Sequence, residues 1–261
     1  MLSRLNMLAL AFAGVTAGAI GAFGVSALTL GIPAALYIAL CADGTARPGS
    51  SVSYPTVTRG ARNRARVALT FDDGPDPEAT PLVLDALAKH DAHATFFAIG
   101  RSLEAHPQLA RRIVDAGHEL GNHSWQHSRW GSFLTSSQQV REIEHGEAAI
   151  ATVTRRTTQP LYRPPIGLKS PPLARAAFRK RLTLVTWSLH SHDSRTADPA
   201  RISGRVLQKI RPGDIVVMHD GHDLPNRHRL AGAQALPRIL EGLREKGLEC
   251  VTVSELLRGE R

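Results

Sequence analysis

The sequence predicts an α/β fold of about seven parallel strands that can close into a (β/α) barrel, preceded by an N-terminal hydrophobic membrane segment. Three observations carry this reading. From Val67 onward short apolar runs alternate with amphipathic stretches, and such alternation implies a parallel sheet with helices outside it. Gly117 and Gly247 fall where helices should stop. The first apolar run ends in two adjacent carboxylates, Asp72 and Asp73, and barrels of this kind collect working side chains at the C-terminal ends of their strands. An open doubly wound sheet satisfies the same alternation.

In chain order, residues 5–40 carry no charge and lie between Arg4 and Asp43. A spanning helix needs roughly 20 apolar residues. Residues 1–43 are therefore expected to form a membrane anchor, as one long tilted span or as two short ones turning near residues 21–24. The apolar run is too long for a usual signal-peptide core and lacks a small-x-small cleavage site. Leu40 before Cys41 also departs from a lipoprotein signal. Residues 44–65, rich in Gly, Ser, Pro, Thr and Arg, read as a linker. Cys41 and Cys250 give no disulfide framework.

The formal charge of +9 is spread through the chain, without a Lys/Arg block or basic-aromatic motif. That argues against a nucleic-acid partner and for anionic headgroups or acidic polymers. Nothing in the sequence calls for an obligate protein partner. Arg47, Arg59, Arg62, Arg64 and Arg66 follow the anchor with no acid between Asp43 and Asp72. The positive-inside tendency then disfavours a single span with its C-terminal side outside.

The catalytic-size domain is placed at residues 66–258. Strands are expected at 67–71, 95–99, 119–122, 161–163, 182–187, 214–218 and 249–253. Helices are expected at 81–90, 102–116, 136–153, 172–179, 199–210 and 234–246. Neighbours on an extended chain point in different directions, so of Asp72 and Asp73 one can bind a metal while the other handles a proton. His123 and His127 stand four apart. If that segment turns as a helix, both imidazoles reach one ion. Two imidazoles and a carboxylate, with positions open to water and substrate, make a hydrolytic metal centre. Zinc is the first choice, and the donors also accept cobalt, nickel or manganese. Arg163, ahead of Pro164 and Pro165, sits in stiff chain where a fixed guanidinium can keep a carboxylate ionised. His219 ends the buried run 214–218 and is an acid/base candidate.

Four motifs, Thr70-Phe71-Asp72-Asp73-Gly74, His123-Ser124-x-x-His127, Arg163-Pro164-Pro165-x-Gly167 and Ile215-x-Val217-x-His219, stand in the order of those of the polysaccharide deacetylases. The chain resembles this NodB-homology family, family 4 of the carbohydrate esterases. The resemblance implies a distorted β/α barrel and divalent-metal-dependent removal of N- or O-acetyl groups from sugars. It implies Asp72 as general base, Asp73, His123 and His127 as metal ligands, His219 as general acid, and Arg163 as the residue that tunes Asp72. Asp193 matches a family aspartate that orients the catalytic histidine. His190 and Ser194 replace the Asp and Trp usual in that motif, and Ile166 stands where many members carry Tyr. Pro164, Ile166 and Trp125 are expected to face substrate. The Ile166 N–H would hold the oxyanion, and Ile215 and Val217 the acetyl methyl. Trp130 is a second candidate to line the groove, and Trp187 is expected in the core. His222, His228 and Arg229 form a polar loop that reads first as a solvated loop. The implied partner is an acetylated polysaccharide or oligosaccharide of the cell envelope, which places the domain outside the cytoplasm although the arginine pattern points inward.

Overall fold

The structure, a computed structural model, describes residues 4–128, 130–154, 161–221 and 230–258. The loop with His222, His228 and Arg229 lies outside the described residues. The chain begins with two apolar helices, α1 (Arg4–Phe23) and α2 (Ala27–Ala46). Both are long and apolar enough to cross a membrane, with mean hydropathy 1.6 and 1.5 over their best windows. The break falls within the expected turn, at Gly24, whose φ of 73° suits a residue without Cβ. Ser26 then caps α2 in a reciprocal box with Thr29. Phe12 meets Tyr37 edge-on at 5.5 Å, so the two helices pair.

The remaining elements are β1 (Thr56–Val57), β2 (Arg66–Asp72), α3 (Ala79–Lys89), β3 (Thr95–Ala98), α4 (Gly100–Ala105), α5 (Pro107–Asp115) and β4 (Glu119–Asn122). They continue with α6 (Ser136–Val153), β5 (Leu161–Tyr162), α7 (Pro171–Lys180), β6 (Thr183–Val185) and β7 (Leu189–His190). The chain closes with α8 (Pro199–Lys209), β8 (Ile215–His219), α9 (Ala231–Glu245), β9 (Glu249–Cys250) and α10 (Val253–Leu257). Among the described residues these strands pair in parallel, in the order β1-β6-β5-β4-β3-β2-β8-β7 with β9 also on β2. β6 pairs with β5 and β7 with β8, yet both lie on the stretch 183–190. The sheet therefore curls back on itself as the distorted barrel that the family resemblance implies.

The pleat sorts side chains to two sides. Val67, Leu69 and Phe71 of β2, Phe96 and Ala98 of β3, and Val216 and Met218 of β8 join the core under the helices. Ala68, Phe97 and Ile215 belong to the apolar cluster inside the barrel. Asp72 and His219 share the inward phase and are register partners at the ends of β2 and β8.

Three expectations about elements change. The helix expected over 102–116 is two helices, because Pro107 offers no N–H to continue the first and starts α5 instead. The strand expected to reach residue 253 stops at Cys250, and Thr252 caps α10 in a box with Glu255. Part of the expected linker is built into the fold: Thr56 and Val57 pair with Leu184 and Val185 of β6. Gly60 N–H donates to Gly213 O.

Candidate metal centre and catalytic groups

β2 delivers two acids from one strand end because the chain bends between them. Asp72 keeps the strand conformation, whereas Asp73 has a φ of 74° and swings its carboxylate aside. Asp72 Oδ1 accepts from Arg163 Nη1 at 2.6 Å. That guanidinium is fully buried. It also donates to Thr70 Oγ1, Val185 O and Thr186 O, and lies over the Phe97 ring at 4.0 Å. Thr70, two residues before Asp72 and on the same side, passes its own proton to Val216 O. A fork of donors with every arm engaged holds the carboxylate in one orientation.

Asp73 Oδ1 faces His123 Nε2 at 3.5 Å and His127 Nε2 at 3.3 Å. Three potential ligand atoms of these buried residues lie within 4.8 Å of one another. Helical spacing is one way to bring the pair to one ion. The structure instead bends at Ser124 and His127, with φ of 70° and 50°. Three residues hold the bend. Asn122 Oδ1 accepts from Ser124 N–H, Ser124 Oγ from His127 N–H, and Glu142 Oε2 from the N–H groups of Trp125 and Gln126. Asn122 is itself seated by donating to Ile143 O across from Gly146. Ser124 belongs to the histidine motif, but Asn122 and Glu142 follow no period or spacing that marks these contacts.

The donors fit a divalent cation. His123 Nδ1 lies 2.8 Å from Arg163 O, and a carbonyl can only accept, so Nδ1 carries the proton and Nε2 turns its lone pair toward Asp73. Asp73 Oδ1 is buried without a hydrogen-bond partner. Burial alone would push the Asp73 carboxyl up. The neighbouring imidazoles of His123, His127 and His219, where they carry positive charge, instead hold it well below the usual carboxylate range. A bound cation supplies that positive charge without protonating the imidazoles.

On the other side of Asp72, His219 Nδ1 meets Asp193 Oδ1 at 2.8 Å, and the His219 N–H donates to Asp193 Oδ2 at 2.7 Å. Ser191 Oγ and the Ser194 N–H also donate to Asp193 Oδ1. Burial disfavours the imidazolium, but Asp193 outweighs it, with help from Asp73 and Asp72, and raises the His219 pKa to about 10. His190 Nδ1 accepts the His192 N–H, so its own proton sits on Nε2. Its ring is 6.0 Å from that of His219. Burial first, and then the charge of His219, push its pKa down to about 4. A neutral imidazole thus stands where the family motif has a carboxylate.

Asp220, which the sequence reading passed over, is buried behind the site. Its Oδ2 accepts from Thr80 Oγ1 at 2.6 Å, and burial, with the charges of Asp73 and Asp72, raises its pKa to about 7. Pro164 leads into a tight turn, Pro165–Gly167, in which Ile166 has a φ of 50° and is 54% exposed. Trp187 packs beneath Gly167 and edge-on to His190. Val217 is buried beside Thr70 and one step below His219, whereas Ile215 lies deeper, in the barrel's apolar cluster. Trp125 does not open onto the cleft as expected: its ring covers Gly100, meets His145 edge-on at 5.8 Å and packs on the helix-side core. Trp130 and Phe133 are exposed, 5.8 Å apart. The segment they belong to lines a small cleft through Gly131, Ser132 and Leu134, which Ser124, Ser128, Pro165 and Ile166 complete.

Comparison with known proteins agrees with this arrangement. The family model for polysaccharide deacetylase matches residues 59–185. A peptidoglycan-N-acetylglucosamine deacetylase of Bacillus cereus is 36% identical over 198 residues, covering 75% of this chain and 90% of that protein. A chitooligosaccharide deacetylase of Sinorhizobium fredii is 35% identical over 198 residues, covering 74% and 92%. A crystal structure of a peptidoglycan N-acetylglucosamine deacetylase bound to an N-hydroxybenzamide superposes with a TM-score of 0.72 at 30% identity, covering 78% and 92%. A family 4 pseudoenzyme from Bacillus anthracis superposes with a TM-score of 0.69 at 29% identity, covering 77% of this chain and 68% of that one. With its paired strand-end acids, its histidine pair and its buried guanidinium all on this barrel, the chain belongs to the polysaccharide deacetylase family.

Proposed function

We propose that the chain is a membrane-anchored, divalent-metal-dependent hydrolase that removes acetyl groups from N-acetylated sugars of a cell-envelope glycan. The observation that carries the reading is the division of labour at the end of β2: Asp72 is gripped by Arg163, while Asp73 is left facing two imidazoles. The named relatives act on peptidoglycan and chitooligosaccharides, which supports an N-acetylated glycan as substrate class. The two apolar helices at the N-terminus support the anchor, with the domain outside the cytoplasm where such glycans lie.

Asp73, His123 and His127 would hold the cation, zinc being the first choice. When bound, a divalent cation lowers the pKa of water and polarises an acetyl carbonyl. The remaining work belongs to side chains of this chain. Asp72, fixed by Arg163, takes the proton of the attacking water. The Ile166 N–H, in the turn that follows Pro164, faces the developing oxyanion. His219 has its Nδ1 engaged by Asp193 and gives its proton from Nε2 to the leaving amine, so that acetate and a free amino sugar result. Val217 lines the methyl side. Trp130 and Phe133 offer an aromatic rim to a sugar ring.

The test is acetate release by the full-length protein in detergent, from N-acetylated peptidoglycan and from chitooligosaccharides. Activity abolished by a chelator and restored by zinc or cobalt is the expected result. Cation binding without acetate from either glycan would overturn the proposal, and would align the chain with the pseudoenzyme among its structural neighbours.

A further inference from the structure

The anchor and the domain are not joined by a loose tether. Lys169 is fully buried and donates from Nζ to Pro48 O and Ser50 O, while its N–H donates to Thr45 O in the last turn of α2. Further along, Tyr54 Oη donates to Ala177 O and Leu182 O at the far end of α7. Residues 45–54 thus run the length of α7, from just before its first turn to just past its last.

The two sides of α7 differ. Leu173, Ala174, Ala176 and Ala177 are buried in the core. Arg175, Phe178 and Arg179 are exposed, and Arg181 beyond the helix end is exposed too. Spacings of three and four put the first three on one stripe. The stripe carries two cations and an aromatic ring, with no acidic side chain within the helix. Arg47, at the exit of α2, is a further exposed cation, tied to Asp43 at 3.1 Å. Basic side chains flanking an apolar ring are the chemistry of a helix that rests on an anionic bilayer surface.

Resting on the reading of α1 and α2 as membrane spans, we infer that α7 is the membrane-facing surface of the domain. Arg175, Arg179 and Arg181 contact anionic lipid headgroups, and Phe178 enters the headgroup boundary. The turn Pro165–Gly167, which precedes Lys169 by two residues, then lies close to the bilayer, and the cleft opens toward glycans held near the membrane surface.

The experiment uses the full chain in vesicles of seven parts phosphatidylcholine to three parts phosphatidylglycerol, as ~30% anionic lipid. Phe178→Cys carries an environment-sensitive fluorophore in a Cys41→Ser background, with the buried Cys250 left in place. Leu82→Cys, at a similarly exposed position on α3, is the reference. Spin-labelled lipid should quench the label at 178 at least ~threefold more than at 82. Arg175→Glu with Arg179→Glu should remove most of that difference in anionic vesicles and leave it unchanged in neutral ones. If carbonate extracts the protein, the spans themselves are refuted and the inference falls with them. If the protein resists carbonate but the two positions are quenched alike, the inference alone is overturned.

Discussion

Replacing Arg163 by methionine asks how much of the site depends on one guanidinium. The side chain is fully buried and donates to Asp72 Oδ1, Thr70 Oγ1, Val185 O and Thr186 O. Methionine fills most of the volume but donates nothing. Asp72 then stands in a dry interior without its counter-ion. Removing one partner of a buried pair costs ~3–5 kcal/mol, and the two stranded carbonyls push toward the upper end of that range. For a domain of ~200 residues each kcal/mol moves Tm by ~2–4 °C, so the expected fall is ~6–20 °C. Thermal melts of the wild type, Arg163→Met, Asp72→Asn and the double variant measure it. An amide at position 72 needs no counter-ion, so the double variant should be more stable than the sum of the singles by at least ~1 kcal/mol. Turnover of Arg163→Met should drop ~10²-fold or more, because the base is no longer held. A melt within ~2 °C of the wild type, or strictly additive effects, would refute the claim that Arg163 positions Asp72.

Three further outcomes follow from the same geometry. Asp72→Asn should bind the cation normally, measured by metal analysis after gel filtration, while turnover falls ~10²-fold or more; near-normal activity would exclude Asp72 as the base. Asp193→Asn removes the main cause that raises His219 to about 10, so its pKa falls toward the ordinary ~6.5. His219 must be protonated to act, and the alkaline limb of the kcat profile should therefore shift to lower pH by more than ~1 unit. Gly146→Ala would set a Cβ 2.4 Å from Asn122 Oδ1. Asn122 must then move, Ser124 N–H loses its acceptor, and metal affinity should fall ~10-fold with all three ligands intact, as for outer-shell substitutions.

What the sequence shows of this site is what repeats or alternates. The strand ending in Asp72, the run ending in His219 and the flanking glycines follow period and punctuation, and they suffice to bring both residues to one end of the barrel. The bend at His123–His127 was not legible, since helical spacing and a strained loop can present the same two imidazoles. Distinguishing them requires Asn122 and Glu142, whose partners lie on α6 and the bend itself. The break before Pro107 was legible in principle, because proline carries its own local rule. β1 was not: residues 44–65 have a linker's composition, and only Lys169 and β6, far along the chain, give that segment a place. Trp125 was misplaced for a similar reason. An aromatic beside a histidine motif suits a groove, but Gly100 opens a seat for the ring on the helix side.

The pairings within the site leave one residue unmatched, and this makes the cation a matter of stability as well as chemistry. Arg163 answers Asp72 and His219 answers Asp193. Asp73 is left with two imidazoles, and the lone pair of His123 Nε2 turns toward it. Folding without a cation therefore leaves that buried carboxylate to be answered only by protons bound on its imidazole neighbours. A cation that binds only the folded chain stabilises it by ~2.7 kcal/mol at 100 times its Kd. Zinc should accordingly raise the Tm of the chelated protein by ~5–11 °C. In Asp73→Asn the rise should vanish. A wild type that melts alike with and without zinc, or an Asp73→Asn variant that keeps the full rise, would show that the cation does not sit where Asp73, His123 and His127 converge.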